Sequence, residues 1–185
     1  MSDIWVISDT HFRHESLLNF VGKDGELVRG KHFKDIDDHD EQLIERWNSV
    51  VKPGDTVYHL GDVVIGNNIG KEWFNKNFSQ LHGNKILIAG NHDDIIFLAS
   101  TKLFIDIRIW KFFENFGLIL SHVPMHERSA MLWGSKDVGL RNTPIPLLNI
   151  HGHIHENPSP PGRYRCVSVE QINYTPINIE DLKIK

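Results

Sequence analysis

Short runs of apolar and β-branched residues recur along the chain, and each run ends in polar or glycine-containing residues. Runs of this length and composition are typical of buried strands. We therefore predict five strands that lead into polar segments. They cover residues 4–7, 56–60, 85–89, 118–120 and 147–150.

Two segments between these runs have helical periodicity instead. In residues 40–51, Leu43 and Trp47 recur at helical spacing, and Pro53 follows as a stop signal. A weaker helical pattern covers residues 71–81. Alternation of strand and helix favours a sheet of mainly parallel strands with helical cover, in which ligands bind beyond the carboxyl ends of the strands.

The later part of the chain differs, because strand-like segments follow one another there with few helices between them. These segments predict a second, more antiparallel sheet. They cover residues 104–110, 118–121, 164–172 and 176–179. Two packed sheets with outer helices are thus expected. The polar segments 22–38 and 125–146 are predicted to be loops that border a site.

The composition narrows the classes of function. With 185 residues, of which 40% are apolar, the chain can bury one substantial core, so a single domain over residues 1–185 is expected. A net charge of -4 does not favour binding of long nucleic acid. Cys166 is the only cysteine, which excludes an internal disulfide and indicates a reducing cytoplasm. We also expect no export signal, because the chain does not begin with a basic region followed by an apolar stretch of signal-peptide length. No membrane contact is expected either, because no run of about 18 apolar residues occurs.

Histidine is abundant, with 12 residues, and many of them follow the predicted strands. Each strand end delivers residue types that bind metal ions. The segments are Ser8-Asp9-Thr10-His11, Gly61-Asp62, Gly90-Asn91-His92-Asp93, Ser121-His122 and His151-Gly152-His153-Ile154-His155. Crowded carboxylates and imidazoles without a cation would cost roughly several kcal/mol of polar burial. We therefore predict a shared metal site at these strand ends.

This ordered series resembles the calcineurin-like metallophosphoesterase superfamily. All five blocks are present and span residues 9–155, and the chain looks most like the small, stand-alone bacterial and phage members. The resemblance implies an α/β fold of two mixed β-sheets packed face to face with helices on the outside, an αββα sandwich. That fold agrees with the architecture predicted from periodicity.

The resemblance also implies a role for each residue of the series. Two divalent metal ions are implied, one bound by Asp9, His11 and His155, the other by Asn91, His122 and His153, with Asp62 bridging the two. Manganese is the family-based favourite, and oxygen and nitrogen ligands without thiolates also suit Fe, Zn, Ni or Co. A water held by both metals is expected to lose a proton and attack phosphorus as a bridging hydroxide. His92 is implied to protonate the leaving alcohol, and Asp93 could orient it.

The expected reaction is hydrolysis of phosphodiester or phosphomonoester bonds in small nucleotides or related metabolites. Arg13 or His14 is the preferred candidate for a contact with the substrate phosphate, because Asp9 and His11 fix their loop near the site. A nuclease acting on DNA or RNA, or a protein phosphatase, would use the same site, and a basic groove around it would favour the nuclease. A non-catalytic binding module of this fold should have lost metal ligands, and none is missing here.

Overall fold

The computed structural model of the protein describes residues 2–65, 71–127, 129–132 and 145–182. The strands are β1 Ile4–Ile7, β2 Thr56–His59, β3 Asn84–Ile88, β4 Phe104–Arg108, β5 Trp110–Phe113, β6 Leu118–Ser121, β7 Met131–Leu132, β8 Ile145–Pro146, β9 Leu148–His151, β10 Tyr164–Cys166 and β11 Ile177–Asn178. The α-helices are α1 Ile36–Val50, α2 Lys71–Phe78 and α3 Ile95–Thr101. All five strands and both helices predicted from periodicity are present, with bounds that shift by at most four residues.

The first sheet has the strand order β11-β1-β2-β3-β4. Strands β1 to β4 are mutually parallel, and β11 pairs antiparallel with β1. Each parallel pair is joined through a helix, so that α1, α2 and α3 form the crossovers. The carboxyl ends of β1, β2 and β3 therefore lie at one edge of the sheet, and this edge positions the candidate site.

Helix α1 shows how local sequence sets these crossovers. It begins four residues before the predicted bound because the Asp35 side chain accepts a hydrogen bond from the backbone N–H of Asp38 and caps the helix. Asp37 and Asp38 lie in the first turn, where the helix dipole favours negative charge. On the opposite face Leu43 and Trp47 are buried in the core against the first sheet.

The second sheet has the strand order β10-β9-β6-β5. Strand β9 pairs in parallel with both β10 and β6, and only the β5–β6 pair of this sheet is antiparallel. The predicted contents of this sheet are partly wrong, since β4 and β11 belong to the first sheet. The error for β4 has its cause in helix α3. Its seven residues are too few to show helical periodicity, but they supply the crossover that lets β4 lie parallel to β3.

The strands predicted over 104–110 and 164–172 are also shorter than expected. The first is divided into β4 and the start of β5, and the second ends at Cys166 before a 3-10 helix at Val169–Gln171. Of the predicted loop 125–146, residues 128 and 133–144 lie outside the described part of the chain, while β7 and β8 pair antiparallel.

The two sheets pack face to face, as the sequence predicts for this α/β fold. Side chains alternate along β1, so that Val6 contacts the core between the sheets and Ile7 contacts the core beneath the helices. Leu120 of β6 and Ile150 of β9 complete the core between the sheets. None of the helices in the described residues has the length and hydrophobicity needed to cross a bilayer.

Candidate metal centre

The structure brings the predicted metal ligands together in two adjoining clusters. Each predicted ligand lies in the segment that follows one of the strands β1, β2, β3, β6 and β9. Ligand atoms of Asp9, His11 and His155 all lie within 4.8 Å of one another, and the same limit holds for the second cluster. The second cluster comprises Asp62, His122 and His153. Asn91 adjoins it, with its Oδ1 2.9 Å from Nε2 of His122.

Asp62 lies between the two clusters. Its Oδ2 is 3.7 Å from Nε2 of His11 in the first cluster and 3.5 Å from Nε2 of His122 in the second. A carboxylate at this position can share its charge between two neighbouring cations, as in two-metal hydrolytic sites. The geometry therefore accommodates the bridging role that the sequence predicts for Asp62.

Several buried atoms of the first cluster have no protein partner. Asp9 is fully buried, and its Oδ2 accepts hydrogen bonds from the His153 backbone N–H and the Ser168 hydroxyl at 2.9 and 2.8 Å. Its other oxygen, Oδ1, is buried without a hydrogen bond, and so is Nε2 of His11. Because burying unsatisfied polar atoms costs free energy, these atoms fit the coordination of a cation.

Burial is the main influence on the protonation of Asp9 and His11. Burial raises the pKa of Asp9, because it disfavours the carboxylate charge. Burial also lowers the pKa of His11, so the imidazole stays neutral, the form that binds metals. Among the ion pairs of the described residues, Asp9 and Asp62 have histidine partners only. A bound dication would supply the positive charge that these two carboxylates otherwise lack.

The backbone of the site adopts an uncommon conformation. Five of the seven predicted ligands have φ between 49° and 71°, a region that residues other than glycine seldom occupy. They are Asp9, His11, Asp62, His153 and His155. Each such residue costs on the order of 1–3 kcal/mol, and such strain is concentrated at functional sites in proteins. The loops are therefore shaped around a common point rather than for local stability.

Two glycines allow the strand ends to approach each other closely. A Cβ at Gly90 would collide with the carboxylate of Asp62, and one at Gly152 would collide with the Ser8 hydroxyl and the Asp9 carboxylate. Of the glycines beside the ligands, only Gly61 has a positive φ, +92°. Gly61 is thus required by its backbone conformation, whereas Gly90 and Gly152 are required for close packing.

Asp93 stabilises the loops of the site through the backbone. Its carboxylate accepts hydrogen bonds from the N–H groups of Asp62, Val63 and Gly90 at 2.8–3.0 Å. Both oxygens thus accept hydrogen bonds from the main chain, so Asp93 joins the β2 and β3 loops. The His92 side chain is exposed, and its ring centroid lies 5.8 Å from that of His11.

Comparison with known proteins decides the family. The model for the calcineurin-like phosphoesterases matches residues 2–157, a range that contains all seven predicted ligands. The chain belongs to the calcineurin-like phosphoesterase family. Membership and the two ligand clusters together support a metal-dependent phosphoesterase, and they confirm the resemblance derived from the sequence motifs.

Proteins similar to this calcineurin-like phosphoesterase come from different organisms and a phage. An uncharacterized protein of Methanocaldococcus jannaschii is 29% identical over 192 residues, which cover 100% of this chain and 91% of the relative. The gene 66 protein of Mycobacterium phage L5 is 37% identical over 93 residues, or 50% of this chain and 41% of the phage protein. A crystal structure of a protein of unknown function from Aquifex aeolicus has a TM-score of 0.69 and 28% identity, with 98% of both chains covered.

A buried ion pair behind the first cluster was not predicted from the sequence. Glu170 lies beyond the matched range, and its Oε1 is 2.9 Å from Nδ1 of His155 and 2.7 Å from Nη2 of Arg29. The Arg29 guanidinium is 1% exposed and donates to the carbonyl oxygens of Asp9 and Thr10 at 2.6 and 3.0 Å. In this calcineurin-like phosphoesterase, the Arg29–Glu170 pair thus holds both the β1 loop and the His155 ring in place.

The ion pair with Arg29 keeps Glu170 ionised. Burial opposes ionisation, but the charge of Arg29 and the hydrogen bond with His155 outweigh it and lower the pKa of Glu170 to about 2. For His155, burial lowers the pKa, and the bond with Glu170 outweighs that effect, so the pKa is raised. Since Glu170 faces Nδ1, Nε2 of His155 is directed toward Asp9, from which it lies 4.0 Å away. A carboxylate in this position fixes the orientation of a metal-binding histidine.

Substitution of Glu170 should therefore weaken metal binding. For Glu170→Gln we expect about a 10- to 100-fold loss of Mn²⁺ affinity at the tighter site, because His155 loses its anionic partner. Isothermal titration calorimetry measures the effect, with thermal unfolding as a check that the variant is folded. Glu156→Gln, a nearby exposed carboxylate, is the matched control. Equal Mn²⁺ affinity in the folded Glu170→Gln variant and the wild type would contradict the role of Glu170.

Proposed function

We propose that this chain hydrolyses phosphodiester or phosphomonoester bonds of small nucleotides or related metabolites with the help of two divalent cations. The observation that carries the proposal is the pair of adjoining ligand clusters with Asp62 between them. Asp9, His11 and His155 would hold one cation. Asn91, His122 and His153 would hold the other, and Asp62 would contact both. When bound, such cations polarise phosphoryl oxygens and generate a hydroxide nucleophile from water near neutral pH.

Two histidines outside the ligand set could act on the substrate. The backbone N–H of His92 donates to Oδ1 of Asp62 at 2.9 Å, which fixes the residue beside the proposed bridge and leaves its ring exposed. From there the imidazole can give a proton to the leaving alcohol. The His14 ring lies 5.5 Å from that of His11, and its Nδ1 is buried without a partner. His14 is therefore our candidate for binding a phosphoryl oxygen.

Arg13 is the weaker of the two candidates for phosphate binding. Its guanidinium pairs with the carboxylates of Asp37 and Asp40 and lies 5.1 Å from the ring centroid of Trp73. A cation that already has two anionic partners and an aromatic contact is less available to a substrate. The structure thus favours His14.

The surroundings of the clusters support a small substrate. A cavity of about 560 Å³ is lined in part by His153 and His155, and one of about 330 Å³ is lined in part by Asn91 and His122. Cavities of about 300–1,000 Å³ are typical of small-molecule sites. The net charge of -4 argues against long nucleic acid as the substrate. Manganese remains the favoured cation, and the buried free thiol of Cys166 is compatible with the proposed cytoplasmic location.

A metal-by-substrate screen tests the proposal. Chelator-treated protein should be inactive, and readdition of Mn²⁺ should restore hydrolysis of bis-4-nitrophenyl phosphate, 4-nitrophenyl phosphate or 2′,3′-cyclic nucleotides. Zn²⁺, Ni²⁺ and Mg²⁺ are compared in parallel, and single-stranded DNA and RNA test the nuclease alternative. Asp62→Asn is the matched variant and should lose nearly all activity with every cation. Activity that survives both chelation and Asp62→Asn would refute the proposed site.

The role of His92 has a separate test. His92→Ala should keep the wild-type metal content, because the ring is not a proposed ligand, and should lose about 10²- to 10⁴-fold in rate on alkyl esters. The loss should be much smaller on 4-nitrophenyl esters, whose leaving group needs little protonation. Steady-state kinetics and metal analysis measure both effects, with the exposed His32→Ala as control. An equal loss on both ester types would remove His92 from the proton transfer.

A further inference from the structure

Exposed apolar side chains line the smaller of the two cavities beside the proposed metal ligands, the one next to Asn91 and His122. Ile109 is 71% exposed, Trp110 49% and Val123 44%, although large apolar side chains are usually covered. The cavity of about 330 Å³ is also lined by Met125 and by the proposed ligands Asn91 and His122. A cluster of exposed apolar groups that adjoins a site indicates a binding surface.

The sheet register explains why these side chains meet the metal centre. Trp110, the first residue of β5, pairs with Ser121, which directly precedes His122. Phe112, two residues further along β5, contacts the Trp110 ring edge to face, with 4.8 Å between ring centroids and an interplanar angle of 66°. One part of the indole is thus supported by the protein, while Trp110 as a whole is 49% exposed and lines the cavity.

The two cavities differ in the chemistry of their walls. The larger cavity includes the charged side chains of Arg29, Glu156 and Glu170. Among the lining residues that the structure describes, the smaller one has no Asp, Glu, Lys or Arg, and its histidine is a proposed metal ligand. A wall of this kind favours a flat, uncharged ring over a second phosphate or a sugar.

We infer that the cavity around Trp110 binds a planar aromatic group, such as a nucleobase, of the phosphate ester whose phosphate lies at the metal centre. This inference rests on the proposed function and adds a specificity determinant to it. Asn91 and His122 belong to both the cavity wall and the ligand clusters, so a ring stacked on Trp110 is only a short linker away from the reacting phosphate. A ribose is a linker of this kind.

Binding of two matched phosphonates tests the inference without turnover. Each has a CH₂ group in place of the ester oxygen, one based on adenosine 5′-monophosphate and the other on ribose 5-phosphate, so the base is the main difference. Calorimetry on the Mn²⁺-loaded wild type should show about tenfold tighter binding of the adenosine compound, the size of effect expected of one stacking contact. Trp110→Ala should reduce this ratio to about one, whereas Trp110→Phe should retain most of it.

Controls separate this inference from the proposed function. Ile105→Ala removes another exposed apolar side chain, on β4 and outside the cavity wall, and should leave the ratio unchanged. Val123→Ser, inside the wall, should lower the ratio even if Trp110→Ala proves unstable. If hydrolysis fails in the metal screen and the ratio still depends on Trp110, ring binding stands and only the reaction is wrong. A ratio of one in the wild type, or a tenfold ratio that persists in Trp110→Ala, overturns the inference.

A second copy of the chain is the competing occupant of this surface. In that case sedimentation would show a dimer that Trp110→Ala dissociates, and neither phosphonate would discriminate between the variants. That combination of results would also overturn the inference.

Discussion

Two carboxylates, those of Asp9 and Asp62, and two imidazoles, those of His11 and His122, are buried at the point where the loops after five strands meet. This crowding governs the rest of the structure. Asp9 is fully buried and Asp62 is 1% exposed, yet the only buried arginine among the described residues, Arg29, is paired with Glu170. Charge on the two aspartates is costly unless a cation lies beside them. The fold is therefore best understood as a frame that holds anionic and imidazole ligands in place for cations.

Hydrogen bonds connect the loops on one side of the site, whereas the other side is open. Asp93 joins the backbone of the β2 and β3 loops, and Arg29 joins the β1 loop to Glu170 and so to His155. Such contacts fix the ligands in advance, which maintains strained φ angles that the loops would not adopt alone. In front of the clusters, the exposed His92 ring and the two cavities leave room for a substrate.

The sequence predicts the parts of this arrangement that depend on local pattern. The metal ligands can be predicted from strand ends that finish in Asp, Asn or His, because parallel strands bring their carboxyl ends together. Sheet membership of β4 and β11 could not be read, since it depends on a short crossover helix and on long-range pairing. Glu170 and Arg29 are 141 residues apart and belong to no motif, so their contact is visible only in three dimensions. The hydrogen bonds from the backbone of Asp62 and Val63 to Asp93 could not be predicted for the same reason, because these groups belong to another loop.

We propose that two cations bind side by side with Asp62 between them. Anomalous diffraction from crystals grown with saturating Mn²⁺ measures this directly. Two peaks per chain are expected, with the Asp62 carboxylate in contact with both. One should lie beside Asp9, His11 and His155, and the other beside Asn91, His122 and His153. A single peak, no peak, or an Asp62 side chain directed away from the bound manganese would contradict it.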